Sequence, residues 1–166
     1  MALTPQQYAT LKAAIAGDGT LSALPNDPDG NTAVAALLNV AASPDWVVWR
    51  TRVTDREIML NGFDWTRVDN LSVGKSRIWD WMFRFGFIDP SKPNIRTGID
   101  STWVGTAADL AVRAAVYVHC KKNASRVQKL FSTGTGTTND PATMDANVDE
   151  SFSLTYQDVE TARNLP

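Results

Sequence analysis

Hydrophobic residues recur at helical spacing along much of the chain, and several of these stretches begin with a helix-capping pattern. Thr4-Pro5-Gln6-Gln7 is a capping box with proline at the first helical position, and Tyr8, Leu11 and Ile15 follow at intervals of three and four. Thr54-Asp55-Arg56-Glu57 is a second capping box. These patterns predict helices over residues 4–16, 32–39, 54–61, 72–84 and 106–122, a further turn or two carrying Arg126, Lys129 and Leu130, and a helix start at Thr155.

Residues 132–151 differ from the rest of the chain because they contain few large apolar side chains and many Gly, Thr and Asp residues. This composition predicts an exposed arm or loop that is mobile in the free protein and becomes ordered on assembly. Residues 89–94 fit a loop, and Phe152–Thr155 fits a short strand. Trp46-Val47-Val48-Trp49 fits either a strand or a helix.

The expected fold class is therefore mainly α, a helical bundle with a long extended arm or loop and little β structure. The expected organisation is a helical domain over residues 1–131, an extended arm over 132–153, and a C-terminal helical segment over 154–166 that packs on the same domain. A chain of 166 residues is long enough to bury one core without disulfides or metals.

Composition indicates a protein of a reducing compartment that does not span a membrane. The single cysteine, Cys120, excludes an internal disulfide, and one thiol with one histidine is too few for a structural zinc site. No stretch approaches the roughly 18 apolar residues of a membrane span, and the first residues lack the pattern of a secretory signal. We therefore expect synthesis in a reducing cytoplasm.

The formal charge of −2 hides an uneven distribution along the chain. Residues 50–130 contain 14 Lys and Arg against eight acids, residues 1–49 contain one Lys against four Asp, and residues 131–166 contain one Arg against six acids. A basic middle between acidic ends can meet nucleic acid or the acidic end of a neighbouring copy. A solvated surface with internal salt bridges is the ordinary explanation of any single charge.

Three short patterns resemble catalytic or metal sites, but each lacks an essential part. Gly74-Lys75-Ser76 ends like a phosphate-binding loop, yet Asp69 stands where that loop needs its first glycine. His119 is the only histidine that could activate Cys120, and adjacent helical residues point about 100° apart. Asp27-Pro28-Asp29-Gly30-Asn31 has calcium-loop chemistry without the spacing. We therefore expect no enzymatic activity, no cofactor and no metal.

The acids near the C-terminus and the basic residues near the centre are further candidates. The acids could hold a divalent ion if they were ordered, although solvated loop acids are the ordinary case; they are Asp140, Asp145, Asp149 and Glu150. The predicted helix over 106–122 and its continuation carry the candidate DNA-facing residues Lys121, Lys122, Arg126 and Lys129.

Six tryptophans are many for this length, and most lie among arginines in the basic middle. The run Ile78-Trp79-Asp80-Trp81-Met82-Phe83 offers more apolar surface than one helix face buries in a small domain. Interfaces favour Trp and Arg, whereas base stacking by the same residues is the rival explanation. The predicted subunit interface consists of Arg77, Trp79, Trp81, Arg84, Asp158 and Glu160.

Two stretches of the sequence carry a resemblance to a known class. They are residues 49–75, with Asn61-Gly62-Phe63-Asp64-Trp65-Thr66-Arg67, and residues 99–110, with Ile99-Asp100-Ser101-Thr102-Trp103-Val104-Gly105. Together with Met1-Ala2-Leu3-Thr4-Pro5 and Tyr156-Gln157-Asp158-Val159-Glu160, they resemble small structural proteins of tailed bacteriophages. The resemblance is to the head–tail neck class of adaptor or head-completion proteins.

The resemblance implies a virion protein that forms a homo-oligomeric ring at the neck, joins the portal to the tail and lets DNA pass. The ring is expected from the resemblance to be twelve-fold. Its implied partners are the phage portal protein and a tail or head-completion protein, with transient, non-specific contact with DNA. The alternatives are a DNA-binding accessory protein, a capsid decoration protein and, third, a small hydrolase.

Overall fold

The computed structural model describes residues 2–60 and 62–166. About 53% of the chain is helical and the few strands are short, which confirms the mainly α class. The helices are α1 Pro5–Gly17, α2 Gly19–Ser22, α3 Pro28–Asn39, α4 Asp55–Leu60, a 3₁₀ helix Trp65–Asn70, α5 Val73–Met82, α6 Pro93–Thr102, α7 Ala107–His119, α8 Arg126–Leu130 and α9 Tyr156–Arg163. The strands are β1 Val47–Trp49, β2 Val53–Thr54, β3 Phe87–Ile88, β4 Lys121–Asn123, β5 Ser132–Thr133 and β6 Thr143–Met144.

The chain divides into two compact units. We call residues 1–48 and 123–166 the terminal unit, and Trp49–Lys122 the central unit. This division differs from the single helical domain expected for residues 1–131. Each sheet has two strands: β1 with β4, β2 with β3 and β5 with β6. None of the helices in the described ranges has the length and hydrophobicity that a bilayer crossing needs.

Local capping explains where several helices begin. Thr4 and Gln7 form the expected capping box, in which Thr4 Oγ1 accepts from the Gln7 N–H at 3.2 Å and Gln7 Oε1 accepts from the Thr4 N–H at 3.0 Å. Thr106 and Thr155 cap α7 and α9 in the same way, with an aspartate as the reciprocating residue. Ser72 caps α5. These interactions satisfy N–H groups that the first turn of a helix leaves unpaired.

The terminal unit is built on the packing of α9 against α1 and α3. Leu11 and Ile15 of α1 and Val34 and Leu38 of α3 are buried in the same core as Val159 of α9. Hydrogen bonds from polar side chains connect these helices to neighbouring segments. Arg163 donates to the carbonyls of Pro25 at 2.7 Å and Leu21 at 2.8 Å, and the Asn39 amide exchanges two hydrogen bonds with the backbone of Leu154.

The segment predicted as an exposed arm is packed in part into the terminal unit, so a long extended arm is not confirmed. β5 and β6 pair antiparallel, with Ser132 opposite Met144 and Thr133 opposite Thr143. Ala142, Met144 and Val148 are buried in the core. The side chain of Gln7, itself buried, donates to Asp145 at 2.9 Å and to Asn147 at 2.8 Å.

The close approach of Gly136 to Trp46 holds the tip of this segment. The backbone N–H of Val47 donates to the Gly136 carbonyl at 2.8 Å, and the Trp46 indole N–H donates to Ser132 Oγ at 2.9 Å. Gly136 has φ +66°, and an added Cβ would collide with the Trp46 ring. The position therefore requires glycine for both its backbone conformation and its space.

The central unit has its own apolar core. It contains Val53 and Ile88 of the paired strands β2 and β3, and Ile58 of α4. α4 is fixed at its start by Glu57, whose carboxylate accepts from the Thr54 N–H at 2.8 Å and from Arg50 at 2.9 Å. The Thr54 N–H, followed by the Thr54 hydroxyl and Arg50, lowers the pKa of Glu57 from 4.5 to about 2.

Several elements differ from the sequence prediction. α6 was not predicted, because it begins at Pro93 without a side-chain cap and contains Gly98. α7 ends at His119 instead of continuing past Asn123, and β4 follows it. Residues 152–155 form no strand. The ambiguous tryptophan-rich run contains a strand, β1.

We predict that Gly136→Ala destabilises the protein by at least about 2 kcal/mol, since the new methyl group would displace the Trp46 ring and strain the backbone. Urea denaturation followed by circular dichroism measures the change. Gly19→Ala is the matched control, because nothing lies within 4 Å of the Cβ it would add, and its effect should stay within about 0.5 kcal/mol. Equal effects of the two substitutions would contradict the packed position of residue 136.

A second prediction concerns acid stability. Because the folded pKa of Glu57 is depressed, its stabilisation is fully present above pH 4.5 and is lost as the pH falls towards about 2. Urea midpoints measured across this range should fall less steeply for Glu57→Gln than for the unmodified protein. Asp69→Asn is the control, since the Asp69 carboxylate is exposed and takes part in no hydrogen bond or ion pair among the described residues. An identical pH slope in Glu57→Gln would disprove the assignment.

Candidate interaction surface

Helix α5 carries large apolar side chains on two opposite faces. Residues two positions apart on a helix point about 200° apart, so Trp79 and Trp81 cannot enter the same core. Trp79 is only 6% exposed and Trp81 is 71% exposed. The run of apolar residues in α5 is therefore divided between the interior and the surface.

An aromatic cluster in the central unit fixes the orientation of α5. The Trp79 ring stacks on Phe63 with centroids 5.8 Å apart, and it meets the fully buried Trp103 edge to face at 5.3 Å. Phe83 packs edge-on against Trp79 at 4.9 Å. Such pairs add about 0.5–1.5 kcal/mol each beyond the area they bury, and they set ring orientation.

The outer face of α5 and the neighbouring α6 enclose a shallow apolar groove of about 530 Å³. The helices approach closely at Gly98, where an added Cβ would lie 2.7 Å from Met82 Sδ. We call this depression the Trp81 groove. It is lined by Arg77, Ile78, Trp81, Met82, Asn94, Ile95 and Gly98.

Two arginines flank the groove without a carboxylate partner in the described residues. Arg77 lines the groove and is exposed. The Arg84 guanidinium lies 5.9 Å from the centre of the Trp81 ring. Three other arginines of the central unit are paired with acids: Arg67 with Asp109 at 2.7 Å, Arg50 with Glu57 at 2.9 Å and Arg113 with Asp100 at 3.6 Å. Arg77 and Arg84 are thus available to a carboxylate from another molecule.

The central unit carries most of the exposed apolar surface. Among the described residues, nine of the eleven exposed large hydrophobic side chains lie between Trp49 and Lys122. The same range contains 12 Lys and Arg against eight acids, whereas the terminal unit contains four Lys and Arg against ten acids. The two units therefore differ in charge as well as in exposed hydrophobicity.

The structure separates the residues predicted for the subunit interface. Trp79 is a core residue, so its assignment to an interface is wrong; the aromatic cluster buries it. The Asp158 carboxylate is occupied within its own chain, because it accepts from the Thr155 N–H at 2.9 Å and from the Tyr8 hydroxyl at 3.1 Å. Arg77, Trp81, Arg84 and Glu160 are exposed.

The basic residues predicted to face DNA do not share one helix, because α7 ends before them. Lys121 and Lys122 lie on β4, and Arg126 and Lys129 lie on α8. Contacts within the chain engage Lys121, Arg126 and Lys129. Lys121 lies over the rings of Trp49 and Tyr117, Arg126 pairs with Asp18 at 2.7 Å, and Lys129 lies 4.8 Å from the centre of the Trp46 ring.

The residues of the catalytic patterns occupy structural positions. Lys75 lies in the first turn of α5, and its ammonium group donates to the Val104 carbonyl at 3.2 Å. Burial raises the pKa of the Cys120 thiol to about 12, which keeps it protonated. Asp27 caps α3 by accepting from the Gly30 N–H at 2.8 Å.

The acidic side chains are likewise used in turns. Asp140 accepts from the Thr135 hydroxyl at 2.9 Å, and Asp149 accepts from the Ser151 N–H at 2.9 Å. No group of three or more His, Cys, Asp or Glu residues is gathered as a metal site within residues 2–60 and 62–166.

Sequence reasoning missed the half of the groove that α6 supplies. Ile95 and Ile99 lie four residues apart after Pro93, and Trp103 follows at the same interval. Proline at the first position followed by this spacing is a helix signal. Applied to residues 93–103, it identifies α6 and the apolar partner of α5.

The two tryptophans of α5 should respond oppositely to truncation. Trp79→Ala should lower the free energy of unfolding by about 3–5 kcal/mol because it empties the aromatic cluster. Trp81→Ala should change it by less than about 1 kcal/mol. Thermal and urea denaturation of both variants measures the difference. Comparable destabilisation would mean that Trp81 is not a surface residue.

No family model, curated protein or solved structure matches this chain. The surface is described by its own geometry: an apolar groove, two arginines beside it that have no carboxylate partner among the described residues, and an aromatic core that holds α5 in place.

Proposed function

We propose that this chain is a non-enzymatic structural subunit that associates with copies of itself. The observation that carries the proposal is the exposed Trp81 groove of the central unit, with Arg77 and Arg84 beside it. Interface centres favour tryptophan and arginine, and apolar patches rimmed by polar groups mark binding surfaces. The groove is lined mainly by aliphatic, thioether and indole groups, which suits a protein partner.

The charge difference between the units supports repeated association. A basic unit and an acidic unit in each chain provide unlike surfaces, and contacts between unlike surfaces join subunits head to tail. Head-to-tail contacts form a ring when the rotation between subunits closes. The packing of α9 against α1 and α3 suits a helical bundle.

The location of the assembly in the virion is inferred from the resemblance to phage neck proteins. We propose a virion ring at the head–tail neck, made in the host bacterial cytoplasm, that joins the portal protein to a tail or head-completion protein. DNA would pass through this ring with transient contact only. A capsid decoration protein would use the same self-associating surface at the capsid instead of the neck.

The proposal of a structural role is supported by the positions of the reactive side chains. Lys75 is tied to a backbone carbonyl, and the Cys120 thiol is buried with a raised pKa. Neither arrangement supplies an activated nucleophile or a phosphate cradle.

A DNA-binding accessory protein is the second candidate, favoured by the arginine that lies over the exposed Trp81 ring. Bases stack on exposed aromatic rings, and arginine binds phosphate. Salt dependence separates this candidate from self-association, because phosphate contacts release counterions and binding weakens steeply with salt.

We predict that the purified protein forms assemblies larger than a monomer at micromolar concentrations, and that it is present in purified phage particles. Sedimentation velocity over a concentration series measures the first, and mass spectrometry of particle proteins measures the second. Titration with single- and double-stranded oligonucleotides at low and high salt is the comparison. A protein that stays monomeric, is absent from particles and is retained by DNA would refute the proposal in favour of the second candidate.

A further inference from the structure

We propose that the Trp81 groove binds helix α9 of a second copy of this chain, with Tyr156 of the partner subunit in the groove. In this contact Glu160 of the partner subunit pairs with Arg77. The inference rests on the proposed self-association and names the occupant of the same surface.

Helix α9 is chosen because it presents an apolar group beside an acid. In the described residues of the terminal unit, the only exposed large hydrophobic side chains are Val40 and Tyr156. Val40 is at the C-cap of α3 and has no acid within four residues. Tyr156 is 41% exposed and Glu160, also exposed, lies four residues further along the same helix. Residues at this spacing share a face.

The groove complements this face in chemistry. Ile78, Trp81 and Ile95 give the groove an apolar lining for a phenol ring, and Asn94 adds an amide that can pair with a phenolic hydroxyl. Arg77 also lines the groove and has no carboxylate partner among the described residues. The Tyr156 ring therefore suits the apolar lining of the groove, and Glu160, one helical turn away, suits Arg77.

The charges of the units favour the same pairing over an association of like units. Two central units each carry 12 Lys and Arg against eight acids and repel each other, as do two terminal units with four against ten. A central unit and a terminal unit attract. Electrostatic attraction of this kind selects the partner and its register more than it adds affinity.

Both contact surfaces can be altered without touching the core. Tyr156 begins α9 and neither its hydroxyl nor the Glu160 carboxylate has a hydrogen-bond partner among the described residues. Trp81 and Arg77 face outward. Substitutions at these positions should therefore report on association and leave the folded chain intact.

Sedimentation equilibrium of the full chain and its variants tests the contact. Trp81→Ala should weaken self-association about 30-fold, and Tyr156→Ala about 10-fold, as expected for aromatic anchors worth about 1–2 kcal/mol. Phe85→Ala, which removes an aromatic ring that is 84% exposed and outside the groove, is the matched control and should change it less than about twofold. Circular dichroism of each variant confirms folding.

A charge exchange tests the register. Arg77→Glu and Glu160→Arg should each weaken association, more at low salt than at high salt, and the double variant should recover to within about threefold of the unmodified chain. Asp45→Arg makes the same charge change at another exposed acid of the terminal unit and should not be rescued by Arg77→Glu. The charge exchange tests the pairing of Arg77 with Glu160 even if Trp81→Ala lowers the folded fraction.

Mixing two defective chains tests whether the surfaces are complementary. A chain with Trp81→Ala lacks the groove but keeps α9, and a chain with Tyr156→Ala and Glu160→Arg lacks α9 but keeps the groove. At concentrations above the dissociation constant of the unmodified chain and below those of the variants, each variant should be largely monomeric alone. A mixture should form a complex of one copy of each, because only one unaltered contact remains.

The outcomes separate this inference from the proposed function. If Trp81→Ala weakens association but Tyr156→Ala does not, the groove binds something other than α9; the inference is then overturned while self-association stands. If the unmodified chain stays monomeric and is absent from particles, both fail. If an oligonucleotide binds the unmodified chain and Trp81→Ala abolishes that binding without affecting self-association, the groove is a nucleic-acid site and the inference is overturned.

Discussion

The burial of Trp79 is the constraint from which the surface of the central unit follows. Its ring contacts Phe63, Phe83 and Trp103, so α5 cannot rotate about its axis without emptying this cluster. Burying one tryptophan is worth about 3–5 kcal/mol, a large part of the net stability of a domain. Because Trp81 lies about 200° away on the same helix, the interaction that secures the core also places Trp81 at the surface.

Features set by residues close together in the sequence were predictable, whereas contacts between residues far apart in the sequence were not. The helix starts at Thr4, Thr54 and Thr155 were predictable from sequence because a cap is a local hydrogen bond. The packing of residues 132–151 depends on Gly136 reaching Trp46, 90 positions away in the chain, and composition does not encode that approach. For the candidate site, the excess apolar surface of α5 was predictable, but which tryptophan faces outward depends on Phe63 and Trp103.

Folding converts a pattern along the sequence into a contrast between two units. The acidic stretches at the two ends belong to one unit, because α9 packs on α1 and α3. The basic stretch between them forms most of the other unit. The two units therefore carry net charges of opposite sign, while the whole chain has a small net charge. Copies can attract each other through unlike units, and the assembly as a whole has only a weak electrostatic field.

The same charges argue against nucleic acid as the main ligand of the groove. Only Arg77 and Arg84 stand beside it without a carboxylate partner among the described residues, whereas Arg50, Arg67 and Arg113 are held by acids of their own unit. Two phosphate contacts to a single strand give a salt slope of about −1.4, or less than about tenfold in affinity between 50 and 200 mM salt. Such binding is weak, and it uses neither Ile78 nor Ile95. A partner that covers these aliphatic side chains gains their burial, about 25 cal/mol for each Å² removed from water. The groove is therefore better matched to an apolar side chain with an acid beside it than to a base with a phosphate.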